Sequence, residues 1–188
     1  GGAEYGEPVY LPVDEAHPIQ PLCPYGTSKH TVEHYLYIYD KLYGLDYTTL
    51  RYANVYGPRQ DPFGEAGVVA IFAERMLHGK QAVINGNGDQ ERDFVYVEDY
   101  ARANLLALEK GSGGTFNLAS GEGTSINTIF RLMARLTNYP LAEFHGPPKP
   151  GEVFKIYLSI DKAKRELGWQ PQIDLEEGLR RTIAYFAA

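Results

Sequence analysis

The sequence predicts an α/β fold. An apolar helical pattern over 27–43 stops at Gly44 and gives way at once to a strand pattern over 47–55, which is half of a βαβ unit, and helical and strand patterns keep alternating along the rest of the chain. With 188 residues, 44% of them hydrophobic, the chain can bury one sizeable core or two small ones that share an interface.

Each element has its own signal. Gly44 suits the C-cap of the first helix, and Gly57-Pro58 punctuates the strand that follows. Helical spacing returns over 67–77 and 97–109, with an apolar strand candidate over 81–84 between them, and 115–119 reads as another strand. Two further helices are predicted over 125–136 and 175–186, the second started by Asp174 with Glu177 three places on, a capping-box pattern. Asp161 is expected to cap a short helix that ends near Gly168. The loop 146–151 holds too much Pro and Gly to be regular.

Composition excludes several classes. The net charge is −6 with no basic block, which argues against an extended nucleic-acid surface, so any anion must be bound by a few local cations. Cys23 is the sole cysteine, so no intrachain disulfide forms, and a reducing cytoplasm fits better than secretion. Cys23 itself reads as an inert small residue. No run approaches the 18 apolar residues of a membrane span, and no charged-then-apolar signal layout is present. His17, His30, His34, His78 and His145 show no metal-ligand spacing, and no metal is expected; His30 and His34 share a helix face without a third ligand nearby in sequence.

The most informative stretch is Pro24-Tyr25-Gly26-Thr27-Ser28-Lys29, which sets a phenol and an ammonium four residues apart at the start of a helix. Such side chains share one face. A phenol that works as a base near neutral pH must titrate about 3 pH units below its ordinary value, and a close cation helps to supply that. Spacing alone leaves two readings open, a catalytic pair or two residues of an ordinary helix, because Tyr37 and Lys41 repeat it.

Further motifs follow in a fixed order: Gly2-Ala3-Glu4-Tyr5-Gly6-Glu7 before this stretch, then Leu50-Arg51-Tyr52-Ala53-Asn54-Val55-Tyr56-Gly57-Pro58-Arg59, Gly64-Glu65-Ala66-Gly67-Val68-Val69 and Gly86-Asn87-Gly88. Arg92-Asp93-Phe94-Val95-Tyr96-Val97-Glu98-Asp99, Phe116-Asn117-Leu118-Ala119-Ser120-Gly121 and Pro150-Gly151-Glu152 complete the series. In this order the chain resembles the carboxyl-terminal part of the extended short-chain dehydrogenase/reductase family, with its nearest likeness among nucleotide-sugar epimerases of the UDP-glucose 4-epimerase type. The resemblance implies an α/β fold made of the C-terminal part of a Rossmann-like parallel sheet, residues 1–60, and a smaller α/β substrate-binding domain, residues 61–188, with 98–120 packing back on the sheet. A glycine-rich dinucleotide turn is missing: neither Gly86-Asn87-Gly88 nor Gly111-Ser112-Gly113-Gly114 has its spacing. The family carries that turn over one hundred residues before the Tyr and a catalytic Ser or Thr about two dozen before it. The expectation is therefore a piece of a longer enzyme, inactive by itself, with an uncovered apolar face and strand edge that favour association.

What the resemblance implies for individual residues is specific. Tyr25 is the catalytic base and Lys29 its partner, and both bind NAD, with Tyr52 also at the cofactor. The reaction is interconversion of UDP-glucose and UDP-galactose through transient oxidation at C4. Asn54, Val68, Val69, Val83, Asn85, Arg92, Ile126, Lys149 and Glu152 are the substrate contacts. In that set Arg92 and Lys149 face the diphosphate, Glu152 the ribose, and the valines, Asn85 and Ile126 enclose the uridine. Lys149 departs from the family, which often has Arg there, and loses bidentate geometry. Asn54 also reads as a turn residue, and the uridine set as ordinary core. Asp93 and Asp99 read as turn and helix-start residues. Related dehydratases and decarboxylases carry an acid where Gly2 and Ala3 stand, which favours epimerisation; Glu4 is one place off. A non-catalytic nucleotide-sugar binding module and a sugar reductase are the competing readings. The helix over 27–43, with Tyr35, Tyr37, Tyr39 and Tyr43, is the expected homodimer interface.

Overall fold

A computed structural model of the chain describes residues 2–63, 67–149 and 151–188, so Gly64, Glu65, Ala66 and Pro150 of the expected motifs lie outside the described residues. The first elements are α1 (Gly2–Tyr5), α2 (Pro24–Tyr43), β1 (Thr49–Tyr52), β2 (Asn54–Tyr56), α3 (Val68–Leu77) and β3 (Val83–Asn85). There follow β4 (Glu91–Arg92), β5 (Phe94–Tyr96), α4 (Val97–Ala107), β6 (Thr115–Leu118), β7 (Thr124–Ser125), α5 (Ile126–Thr137) and β8 (Phe144–Gly146). A π-helical turn at Ala163–Leu167 and α6 (Leu175–Phe186) end the order. The α/β expectation holds.

Helix α2 starts three residues before the expected point, because Pro24 at its first position has a pre-set φ and no N–H to leave unpaired. Gly44 ends it in the left-handed region at φ 66°, its N–H on the Asp40 carbonyl. The single strand expected over 47–55 is two. β1 pairs in parallel with β6, Thr49 opposite Thr115, and β2 pairs in parallel with β5, Asn54 opposite Phe94. The changeover is visible in consecutive N–H groups: Ala53 donates to Leu118 O at 3.0 Å and Asn54 to Asp93 O at 2.8 Å. Strands β4, β7 and β8 were not foreseen, since two or three residues are too few to leave a period-2 pattern.

Strand β5 divides the interior. Phe94 and Tyr96 point into a cluster built with Phe72, Ile84, Ile129, Phe130, Met133 and Leu179, where α3, α5 and α6 pack on one another. Val95, one residue between them, faces the opposite cluster of Tyr5, Tyr100, Phe116, Leu118, Leu167 and Trp169. Strand alternation thus lets three residues serve two cores.

Three local expectations are sharpened. Asp174 accepts the Glu177 N–H at 2.8 Å as expected, but the Glu177 carboxylate turns to Arg180 and Arg181. Asp161 is no N-cap: it already has helical backbone, and the Ser159 hydroxyl accepts its N–H at 3.3 Å. Asp93 and Asp99 are structural, yet each clamps distant chain. Asp93 accepts from Ser120 N at 2.6 Å, Ser120 Oγ at 2.7 Å, Gly121 N at 3.1 Å and Leu158 N at 3.2 Å. Asp99 accepts from Gln172 N and Ile173 N at 3.0 and 3.1 Å and pairs with Arg102 at 2.7 Å.

Candidate functional site

The first turns of α2 present Tyr25 and Lys29. Gly26 brings that turn against α1 so closely that a Cβ on it would stand 2.2 Å from the Ala3 carbonyl oxygen. Lys29 Nζ lies 5.3 Å from the centroid of the Tyr25 ring, and Tyr25 is 58% exposed. Lys41 stands at the same 5.3 Å from Tyr37, so pair geometry does not separate the two. Their surroundings do. Tyr25 and Lys29 line a cleft of about 710 Å³, whereas Lys41 is held by Asp40 at 2.7 Å away from that cleft.

The same cleft gathers Tyr52, Asn54, Arg92 and Glu152 from three other parts of the chain. Tyr52 comes from the end of β1; its hydroxyl donates to Asn104 Oδ1 at 2.8 Å and its ring leans on Tyr100 at 4.4 Å between centroids. Asn54 opens β2 and is exposed. The Arg92 guanidinium is largely buried, bonded to Glu91 O at 2.8 Å, with Glu152 Oε2 3.7 Å away. Burial pulls its pKa down, and the charges of Glu152 and Glu7 oppose that.

The remaining predicted contacts sit elsewhere. Val69 and Ile126 are buried in the α3–α5–α6 core and Val68 packs against it. Val83 stands 40% exposed opposite Phe144 on β8, and the Asn85 carbonyl accepts the Gln90 amide at 2.9 Å. Lys149 is exposed and is not among the described residues that line the cleft. Sequence reading missed Gln60: it lines the cleft with a buried Oε1 that has no hydrogen-bond partner among the described residues. Its signal was a polar amide just past the Gly57-Pro58 turn that closes β2.

Beneath the cleft lies a charged cluster that spacing does not reveal. Arg51 on β1 donates Nε to Glu33 Oε1 at 2.7 Å, Nη2 to Glu33 Oε2 at 2.6 Å and Nη1 to the Tyr5 hydroxyl at 2.7 Å. Glu4 Oε2 is 3.3 Å from Arg51 Nε, and His30 Nδ1 is 3.4 Å from Glu33 Oε2. Glu4, His30 and Glu33 offer ligand atoms within 4.8 Å of one another, a grouping hidden in sequence because Glu4 comes from α1. Arg51 already supplies the positive charge there. Burial raises the Glu4 carboxyl above its ordinary value; it acts on Glu33 too, but the hydrogen bonds and charge of Arg51 outweigh it and hold Glu33 low. Burial also pushes the Tyr5 phenol up to about 12, with Arg51 acting against it.

Residues 2–119, more than half of the chain, match the NAD dependent epimerase/dehydratase family. The chain belongs to that family. A UDP-glucose 4-epimerase of Mycolicibacterium smegmatis is 43% identical over 188 residues, covering 99% of this chain and 60% of that protein. Among solved structures, the Thermotoga maritima UDP-glucose 4-epimerase with UDP-glucose superposes with a TM-score of 0.97 at 52% identity, covering 99% of this chain and 60% of that one. The Thermus thermophilus UDP-glucose 4-epimerase in complex with NAD gives a TM-score of 0.92 at 42% identity, covering 98% and 61%. The chain therefore spans about 60% of the length of these three relatives. For a member of an epimerase/dehydratase family, the placement of Glu4 matters: it is 6% exposed and turned onto Arg51. Among the described residues no helix is long and apolar enough to cross a membrane.

Proposed function

We propose that the chain carries the substrate side and the catalytic base of an NAD-dependent UDP-sugar 4-epimerase that interconverts UDP-glucose and UDP-galactose. The observation that carries this is the meeting of Tyr25 and Lys29 with Arg92 and Glu152 in one cleft. A phenol beside an ammonium suits proton removal from a sugar hydroxyl, while a guanidinium fork and a carboxylate suit a diphosphate and a ribose. NAD fits the donor set at Tyr25, Lys29 and Tyr52, which would hold its nicotinamide ribose hydroxyls, and when bound it would supply the hydride acceptor and donor for C4. Tyr25 Oη takes the proton of the 4-hydroxyl as C4 is oxidised and gives it back when C4 is reduced on its other face. Lys29 Nζ supports the charged phenolate with its own charge. Asn54 offers both a donor and an acceptor to a sugar or phosphate oxygen. Gln60 adds an amide oxygen to the same wall.

Epimerisation is favoured over dehydration by the absence of an acid at Gly2 and Ala3 and by the engagement of Glu4 with Arg51. The uridine-enclosing roles of Val68, Val69, Val83, Asn85 and Ile126, and the diphosphate role of Lys149, are part of the same reading. The 188 residues hold no glycine-rich dinucleotide turn, which supports a chain that binds UDP-sugar but turns none over alone. Its second copy docks on α2, where Tyr35, Tyr37, Tyr39, Leu42 and Tyr43 are all at least half exposed. Light scattering on the Leu42→Glu variant checks this, with a shift to monomer expected.

The deciding experiment joins this chain to the part of the Thermotoga maritima relative that lies outside the match, expected to be its amino-terminal portion. The chimera should convert UDP-galactose with NAD, and Tyr25→Phe should abolish turnover without weakening UDP binding. A chimera that binds NAD and UDP yet forms no UDP-glucose would overturn the reading. The competing binding-module reading predicts that outcome; the reductase reading predicts net NADPH consumption with a keto-sugar.

A further inference from the structure

We propose that Glu33, acting through Arg51, is a positioning residue that fixes the roll of α2 about its axis and so aims Tyr25 and Lys29 into the cleft; this rests on the catalytic reading of that pair. Tyr25, Lys29 and Glu33 follow at intervals of four residues and share a face. Within this chain the rest of the helix offers little to hold it. Gly26 is its one buried residue among 20, and it contributes a backbone contact with α1 rather than a side chain that could lock rotation. Val32, Ile38 and Leu42 are exposed. An apolar helix face normally fixes a helix against a sheet; here Val32, Ile38 and Leu42 face outward, toward the side where the second copy docks, and the tie to the chain's own sheet is a charge.

The geometry suits the task. Both Glu33 oxygens take a guanidinium N–H at 2.6 and 2.7 Å, the two-pronged arrangement that restrains orientation as well as distance. Arg51 itself cannot drift: it is 5% exposed on β1, and Nη1 holds the Tyr5 hydroxyl, which donates to Asn117 Oδ1 on β6 at 2.7 Å. Asn117 is fixed in turn by Val13 O at 3.1 Å and Glu15 Oε1 at 2.8 Å. The fork thus ties α2, two helical turns beyond Tyr25, to the β1–β6 pair that carries Tyr52. A roll of α2 swings the phenol sideways, and misplacement of a reacting group by about 1 Å can cost on the order of 100-fold in rate.

The test compares Glu33→Gln, which keeps the shape but loses the charge and one acceptor, with Glu33→Asp, which keeps the charge. In the chimera, Glu33→Gln should lower kcat about 10- to 100-fold with KM within about 3-fold, and Glu33→Asp should restore part of it. On the chain alone, Glu33→Gln should speed hydrogen exchange at the amides of 27–33 at least about 10-fold, leave exchange in α3 and α5 unchanged, and keep the affinity for UDP. Unchanged exchange in α2 overturns the proposal, as does a kcat that equals that of the unmutated chimera. So does a common loss of kcat, UDP affinity and cooperative melting, which marks a general fold defect. An unmutated chimera without turnover defeats the epimerase reading, and the exchange comparison then decides this proposal by itself.

Discussion

Arg92 and Glu152 face each other in the cleft with Nη2 of the first 3.7 Å from Oε2 of the second. That separation is too long for a hydrogen bond, so the fork keeps donors for an anion while the carboxylate holds its charge nearby. Arg92→Met should weaken UDP binding about 10- to 100-fold, the loss expected for charge-assisted hydrogen bonds worth about 1.5–3 kcal/mol. Arg92→Lys should recover part of it, because the charge stays and the fork goes. Lys149→Met should weaken binding too, but only by about 3-fold, because Lys149 is exposed, lies outside the lining of the cleft and brings a point charge without a fork. Calorimetry with UDP checks all three; equal losses at both positions would assign the phosphates differently.

The long helices were legible because their signals are local. Asp174 with Glu177 and Gly44 after α2 act within a few residues, and α6 has the bounds its pattern predicts. The Tyr25–Lys29 pair was legible as chemistry but indistinguishable by spacing from Tyr37–Lys41; the cleft separates them, and a cleft is assembled from distant segments. The same reason hid the Arg51 cluster. Glu4, Glu33 and Arg51 lie on three elements, so nothing in the neighbourhood of Arg51 announces two carboxylates. Asp93 was read as a turn residue from its neighbours, while its donors come from 27 to 65 positions away.

The two carboxylates on Arg51 predict a defined pH response. Glu4 is raised by burial, so its contribution to stability is fully present below its unfolded value and is lost as pH rises through the raised folded one. Glu33 ends lowered, because Arg51 outweighs burial, so its contribution is present above the unfolded value and is lost as pH falls through the lowered one. The cluster is most stabilising between those two limits. Melting temperatures recorded from pH 4 upward should fall faster for the native chain than for Glu4→Gln, which has no carboxyl left to ionise. Parallel curves for the two proteins would contradict the assignment of the raised group to Glu4.

Asp93 ties β5 to two loops through four donors, and it is 2% exposed. Burial raises its carboxyl while the hydrogen bonds from Ser120, Leu158 and Gly121 pull the other way. Asp93→Ala leaves those donors unpaired in the interior and should cost about 3–5 kcal/mol, whereas Ser120→Ala removes one hydroxyl bond and should cost about 1 kcal/mol. Urea unfolding at a common pH gives both values. Comparable small losses would mean that solvent replaces the carboxylate and that the clamp carries little of the fold.

Gly26 and Gly44 bracket α2 and should fail in different ways. A methyl group on Gly26 would lie 2.2 Å from Ala3 O and 3.0 Å from Pro21 Cβ, and a backbone oxygen cannot step aside as the tip of a flexible side chain can. The first turn of α2 must then back away from α1, carrying Tyr25 with it. Overpacking of this kind costs about 1–3 kcal/mol, so Gly26→Ala should lower stability by that amount and reduce turnover of the chimera together. Gly44 has open space around it, and its requirement is a φ of 66°, where an alanine costs about 1 kcal/mol. Gly44→Ala should therefore lower stability without touching turnover, since the helix frays at the end far from Tyr25. Thermal melts and chimera kinetics on both variants separate the two effects. A Gly26→Ala chimera with native turnover would show that α2 can shift without misplacing its phenol, and would weaken the tie between the close approach at Ala3 and the chemistry at Tyr25.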